Sequence, residues 1–294
     1  MSESGRTAER LRARLGSRWP HLVVEVVDET GSTSSDLLER ARSPAATLPC
    51  LRVAHRQTAG RGRHGRSWRS EAGASLTFSL ATRLDAADWS GLSLAVGVAL
   101  AEALEPNGMA RLGLKWPNDL WLLDTAGESH DGSDGAAIGR KLGGVLIETL
   151  PRDAARVAVI GVGLNVRPIA DTTGLSSGHA AWQELEPQGT AESLLDRVLP
   201  ALADGLAAFE RDGFAAFRTR YAARDLLAGR LVRTTDGRVG DGVCEGVTAE
   251  GCLLVRGADG IVRQVASGEV SVRLGKPASS ESASGRGPRG EATC

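Results

Sequence analysis

At 294 residues the chain is longer than one average domain, and length alone favours a large domain joined to a smaller one. Its 35 basic and 36 acidic residues leave a net charge of −1, which excludes a global positive field for holding nucleic acid or an anionic membrane, so any cationic site must be local. Four cysteines without a C-x-x-C pair exclude a disulfide framework and point to reduced thiols in the cytoplasm, while the longest apolar run, Leu92 to Leu104, carries Glu102 and falls short of the ~20 residues of a membrane span.

Residues 1–20 are rich in Arg and Glu and lack an apolar signal core, so a short amphipathic helix is expected there. Leu22 to Val27, Leu51 to His55 and Ser75 to Leu80 read as strands. Between the first two, Thr33-Ser34-Ser35-Asp36 offers hydroxyl caps for a helix through Leu37 to Ala41. Trp89 to Leu104 has the Ala/Leu/Val content of a buried helix. Leu112 to Lys115, Leu120 to Leu123, Leu142 to Glu148 and Val157 to Gly161 add four strands. Strands with few helices between them predict an α+β fold: a mixed or antiparallel sheet with helices on one side. Residues 125–139 read as a long polar loop, and 190–223 as two helices parted near Asp212-Gly213.

After Gly229 the pattern changes to short strands, with hairpin signals at Asp236-Gly237, Asp241-Gly242, Glu250-Gly251 and Asp259-Gly260, predicting about five strands. The expected division is an N-terminal segment 1–20, a main domain 21–229, a small β module 230–275 and a disordered tail 276–294.

Lysine is scarce: only Lys115, Lys141 and Lys276 stand among the 35 basic residues. Arginine does not replace a compact ammonium, so the two lysines before the tail are candidates for chemistry, against chance retention in a biased composition.

Five segments carry the functional signal. In Gln57 to Trp68, QTAGRGRHGRSW, Gly60, Gly62 and Gly65 permit close backbone approach, while Arg61, Arg63 and Arg66 supply forks for phosphate or carboxylate oxygens. The same run also resembles a nucleic-acid-binding segment. It is not a P-loop, since no G-K-S/T follows. Lys115-Trp116-Pro117-Asn118-Asp119 groups a lysine, an amide and a carboxylate, in a string that also reads as a plain turn. Lys141 opens a strand whose Gly143 and Gly144 fit close approach of a ligand, or a bulge. Asn165 ends GVGLN as a ligand contact or a local backbone partner. Ser32, Thr33 and Ser34 place hydroxyls around a polar ligand, or cap the next helix.

Taken in order, G-S-T, QTAGRGRHGRSW, KWPNDL, KLGGVLIE and GVGLNV resemble the biotin protein ligase family across about Ser32 to Arg273. The resemblance implies a catalytic domain like that of class II aminoacyl-tRNA synthetases, followed by a small SH3-like barrel. It implies biotin and ATP as substrates with Mg²⁺, no dedicated metal site in the protein, and transfer of biotin to a lysine of the biotin carboxyl carrier protein of acetyl-CoA carboxylase or a related carboxylase. A homodimer stays open; nucleic acid and membrane are not expected partners. By motif position, the biotin contacts are Ser32, Thr33, Ser34, Gln57, Arg61, Gly62, Arg63, Lys141, Gly143 and Gly144. Arg63, Arg66, Trp68, Lys115, Asn118, Lys141 and Asn165 take ATP or the adenylate, and Lys115, Asp119, Lys141 and Arg63 carry the catalysis.

Three features depart from the family pattern. Ser34 stands where the family usually has asparagine; residues 125–139 exceed the usual link; and about 30 residues before Gly31 are too few for an N-terminal DNA-binding domain, so a ligase-only member is expected. A lipoate or octanoate ligase of the same superfamily shares the KWPND-like region but not the GRGRHGR loop. A nucleic-acid-binding protein using Arg61, Arg63 and Arg66 is the alternative from another class.

Overall fold

The computed structural model describes residues 2–105, 111–124, 139–152, 155–175, 177–235, 239–266 and 273–274. Helices α1 (Glu3–Leu15), α2 (Thr33–Ala41), α3 (Leu92–Leu104), α4 (Ala191–Asp212) and α5 (Arg218–Ala222) accompany two sheets. The large sheet holds β1 (Val23–Thr30), β2 (Cys50–Gln57), β3 (Ser75–Arg83), β4 (Leu112–Lys115), β5 (Asp119–Leu123), β6 (Gly139–Arg152) and β7 (Ala155–Asn165), in the order β1-β2-β3-β7-β6-β5-β4. Only β1 and β2 run parallel, because α2 crosses between them; the other neighbours are antiparallel. The expected mixed α+β architecture is therefore present.

The two sheet faces differ. Leu76, Phe78 and Leu80 of β3, with Ala158, Ile160, Val162 and Leu164 of β7, pack under α1, α3 and α4. Strand alternation sends their neighbours to the opposite face, where Leu37 and Ala41 of α2 close over Cys50, Ala81, Val157 and Val159. The expectation of helices on one side is thus corrected: α2 stands alone on the second face, because its short apolar stripe meets a second small cluster. Its cap is Ser32, whose Oγ accepts from Ser35 N at 3.4 Å, the capping role that the sequence left open for this residue. Ser2 caps α1, and Ala8, Leu11 and Leu15 fix that helix in the main core.

Beyond α5, β8 (Leu231–Arg233), β9 (Asp241–Val247), β10 (Leu253–Arg256), β11 (Val262–Val265) and β12 (Arg273–Leu274) form a second antiparallel sheet, ordered β11-β10-β9-β8-β12. Gly251 (φ +80°) and Gly260 (φ +75°) make two of the expected turns. Asp241-Gly242 does not: it lies inside β9, where a Cβ on Gly242 would sit 2.3 Å from the Arg256 carbonyl oxygen. Glycine there permits close strand approach. Asp236-Gly237, most of the 125–139 loop and the 276–294 tail lie outside the described residues. No helix among the described residues is long and apolar enough to cross a membrane.

The second sheet is welded to the first. Val232, Cys244, Leu253, Val255 and Val265 belong to the same apolar cluster as α3 and α4, and the Trp116 indole N–H donates to the Gly251 carbonyl at 3.0 Å. Asp225 sits in this junction. Its Oδ1 accepts from Leu227 N at 2.9 Å, its Oδ2 is buried without a partner, and burial pushes the carboxyl up to about 6. The native chain therefore holds a proton that the unfolded chain releases from about pH 4 upward, so this residue's stabilising contribution is full at low pH and lost as pH rises through 6. Asp225→Asn should gain stability over the parent at pH 7 relative to pH 4, by up to about 3 kcal/mol. Urea denaturation across pH 4–7 measures it; an equal difference at both ends would contradict the assignment.

Candidate active site

On the α2 face the large sheet is nearly bare where β3, β6 and β7 meet. Register places Gly144 opposite Gly163 and Leu146 opposite Gly161, and the adjacent β3 positions on this face carry only Thr77 and Ser79. The missing side chains are replaced by groups from elsewhere. A Cβ at Gly161 would lie 2.4 Å from Ser34 Oγ, and one at Gly163 would lie 2.5 Å from the Trp68 ring. The N-terminus of α2 and the loop 60–68 thus rest directly on sheet backbone. The cavity between them is lined by Ser32, Thr33, Ser34, Gln57, Arg61, Gly62, Arg63, Arg66, Trp68, Lys115, Asn118, Asp119, Lys141 and Gly144.

Two sequence candidates lie outside that lining. Gly143 faces the other side of the sheet, where a Cβ would meet Leu164 Cδ2 at 2.5 Å. Asn165 turns its amide to the carbonyls of Lys141 (3.2 Å) and Ala180 (3.0 Å), so it anchors the backbone that presents Lys141.

One end of the cavity is a buried chain of uncharged polar groups with a fixed direction. Thr33 N donates to Gln57 Oε1 at 2.7 Å, which identifies that atom as the oxygen and turns the Gln57 amide nitrogen away from it. Thr33 Oγ1 also gives its one proton to Gln57 Oε1, at 3.0 Å. It must then accept from Ser79 Oγ (2.8 Å), and Ser79 in turn must accept from Ser34 Oγ (2.9 Å). Ser34, its proton spent, offers the cavity only lone pairs. The end of the pocket therefore presents Gln57 as donor and Ser34 as acceptor. Ser79 was not among the sequence candidates, although the alternation Ser75, Thr77, Ser79 on a strand with no exposed face was a readable sign.

The other end is charged. Lys141 Nζ donates to Asp119 Oδ1 at 2.7 Å and lies 6.0 Å from the centre of the Trp68 ring, with Gly144 leaving room beneath the pair. Asn118 is pinned both ways to Val145: its side-chain amide donates to the Val145 carbonyl at 2.8 Å and its backbone carbonyl accepts from Val145 N at 2.9 Å. Lys115 Nζ stands 4.7 Å from the centre of the Trp121 ring. Burial pushes the Arg63 guanidinium below its ordinary range, and the Asp119 carboxylate partly offsets this. With Arg61 paired to Glu148 outside the lining, Arg63, Arg66, Lys115 and Lys141 face one lining carboxylate, Asp119, among the described residues. Such an excess of cations suits a ligand carrying several negative charges.

The loop that carries these arginines is closed on itself. Gly62 N donates to the Arg66 carbonyl at 2.7 Å and Trp68 N to the Gly60 carbonyl at 2.8 Å, while His64 (φ +54°) and Gly65 (φ +72°) turn the tip. Arg61 spends both terminal nitrogens on Glu148, at 2.8 and 3.0 Å.

The sequence model of the Biotin/lipoate A/B protein ligase family matches residues 24–165, the stretch that supplies nearly all of the cavity's lining. The chain is 32% identical over 276 residues to the bifunctional ligase/repressor BirA of Salmonella typhimurium, covering 90% of this chain and 78% of that protein. It belongs to the biotin protein ligase family. The biotin–[acetyl-CoA-carboxylase] ligase of Paracoccus denitrificans is 31% identical over 247 residues, 80% of this chain and 94% of that one. Among solved structures, biotin protein ligase from Aquifex aeolicus in complex with biotin and ATP superposes with a TM-score of 0.68 at 26% identity, over 86% of this chain and 99% of that one.

Within this family member, the bare face at Gly163 is what lets Trp68 seat the loop. Gly163→Ala should lift Trp68 and raise tryptic cleavage within residues 60–69 several-fold, with far-UV circular dichroism unchanged. Cleavage at the parental rate would show that the indole does not hold the loop down.

Proposed function

We propose that this chain activates biotin with ATP and transfers it to a carrier protein. The biotin carboxylate attacks the α-phosphorus of ATP, giving biotinyl-5'-AMP and pyrophosphate. The ε-amine of a carrier lysine then attacks the activated carbonyl, forming the amide and releasing AMP. The observation that carries this reading is the joining, in one cavity, of a donor–acceptor end to a strongly cationic end. A ureido ring presents a carbonyl oxygen beside N–H donors, the complement of Gln57 and Ser34, and Ser32 and Thr33 hold the wall around it. Ser34, in place of the usual asparagine, does this work through Ser79. Gly62 lets the loop backbone approach.

At the cationic end, Lys141 turns from Asp119 to the biotin carboxylate and α-phosphate, and Arg63, Arg66 and Lys115 offset charge on the phosphate oxygens. Asn118 and Trp68 bound the nucleotide, and Asn165 acts on Lys141 through the backbone. Once Lys141 has moved to the anion, Asp119 is free to orient the incoming amine and take its proton. Magnesium tends to bind substrate phosphates through one or two carboxylates and retained waters, and Asp119 with the Asn118 amide oxygen are the donors that would face it. Bound there, it would neutralise phosphate charge. The partner is a biotin carboxyl carrier domain such as that of acetyl-CoA carboxylase, the reaction belongs in the cytoplasm, and the second sheet is the SH3-like module of a two-domain enzyme.

Biotin-dependent exchange of pyrophosphate into ATP tests the reading, with lipoate and octanoate side by side. Exchange with biotin alone is expected; exchange only with lipoate or octanoate would overturn it. In the same assay Lys141→Arg should fold normally yet lose about 10²-fold or more, because the larger head does not fit between Asp119 and Gly144. Lys115→Arg should lose activity similarly. Near-parental exchange by both would show that charge alone suffices.

A further inference from the structure

We propose that Glu148 is a positioning residue of this enzyme: through Arg61 it holds the glycine–arginine loop against the sheet and so sets how long the activated intermediate is retained. The retention part rests on the function proposed above. Glu148 lies on β6 opposite Val159, two positions beyond the Leu146–Gly161 pair, and therefore on the same face as α2 and the cavity but outside the cavity's lining. From there it does not reach a ligand. It reaches the loop.

The geometry is a fork on a fork. Arg61 Nη2 donates to Glu148 Oε1 at 2.8 Å and Nη1 to Oε2 at 3.0 Å, while Nη1 also approaches Ser35 Oγ of α2 at 3.4 Å. One guanidinium thus ties loop, helix and sheet together. The hydrogen bonds from Gly62 N to Arg66 O and from Trp68 N to Gly60 O shape the loop but stay within it, so they do not decide whether it is open or shut. The loop's arginines are consequently divided in task. Arg61 has its charge committed to Glu148, whereas Arg63, drawn into the cavity, makes no ion pair among the described residues and keeps its donors for a ligand. Arg61, expected from the sequence to contact biotin, lines the cavity and serves in addition as the latch.

The magnitude follows from exposure. The Arg61 and Glu148 side chains are 43% and 25% exposed, so salt and water weaken the pair, but its bidentate form keeps it above a typical surface contact. Loss of the carboxylate charge should shift the loop's opening equilibrium by about fivefold.

The experiment compares the parent with Glu148→Gln, which retains shape and every tryptic site of the loop, and with Glu148→Asp, which shortens the reach. Two readouts are taken: tryptic cleavage within residues 60–69 without ligand, and dissociation of preformed biotinyl-adenylate. In Glu148→Gln both should rise about fivefold, with Glu148→Asp between, and the gap should narrow in about 1 M salt. Saturated pyrophosphate exchange should stay within about twofold of the parent. Arg61→Glu combined with Glu148→Arg should restore retention that Arg61→Glu alone loses. Parental cleavage in Glu148→Gln would overturn the latch. Faster cleavage with parental adenylate retention would overturn its part in the reaction, and so would a charge exchange that restores nothing. A parent unable to form adenylate would instead sink the proposed function, with the cleavage comparison still deciding the latch.

Discussion

The site depends on a strip of sheet with nothing on it. Two elements cannot occupy one place, and the side chains of an ordinary strand stand off the sheet and would hold a covering loop away from its backbone. At Gly144, Gly161 and Gly163 that spacing collapses, so Ser34 and Trp68 reach the backbone itself and a cavity forms between α2 and the loop. The same strip explains why α2 packs alone on its face. Its apolar cluster ends where the glycines begin, leaving the helix N-terminus over polar ground.

From this constraint the chemistry divides along the cavity. A chain of hydroxyls cannot choose its own direction; one end must be pinned. The backbone N–H of Thr33 does this, and the order then passes through Gln57, Thr33 and Ser79 to Ser34. Position is supplied the same way at the charged end, where Asn165 holds the carbonyl of Lys141 and Val145 grips Asn118 on both sides. Ser79 and Asn165, which lie outside the cavity's lining, thus help decide what the lining residues can do.

Much of this was legible in the sequence, and the failures have identifiable causes. The strands were readable from branched and alternating residues, although β6 and β7 run further at both ends than their apolar centres. The motifs marked most of the lining because glycine, arginine and lysine at those spacings are costly without a ligand. Face was harder to read. Gly143 and Gly144 are adjacent in the chain, yet the pleat sends one to the Leu164 side and the other to the cavity. Ser79 and Glu148 sit in ordinary strand patterns, and their value comes from partners 45 and 87 residues away in the chain. Asp241-Gly242 reads as a turn because the same dipeptide serves tight turns and close strand crossings.

The hydrogen bond from the Trp116 indole to the Gly251 carbonyl gives the second sheet a mechanical part. Trp116 directly precedes the Pro117-Asn118-Asp119 turn, and Gly251 abuts the start of α3, where a Cβ would come 2.8 Å from Gly91 Cα. The hairpin between β9 and β10 is therefore a wedge driven between a helix end and the strand pair that carries Lys115 and Asp119. Tilting the small sheet would turn those two side chains with it, as a key turns the bolt it is seated in.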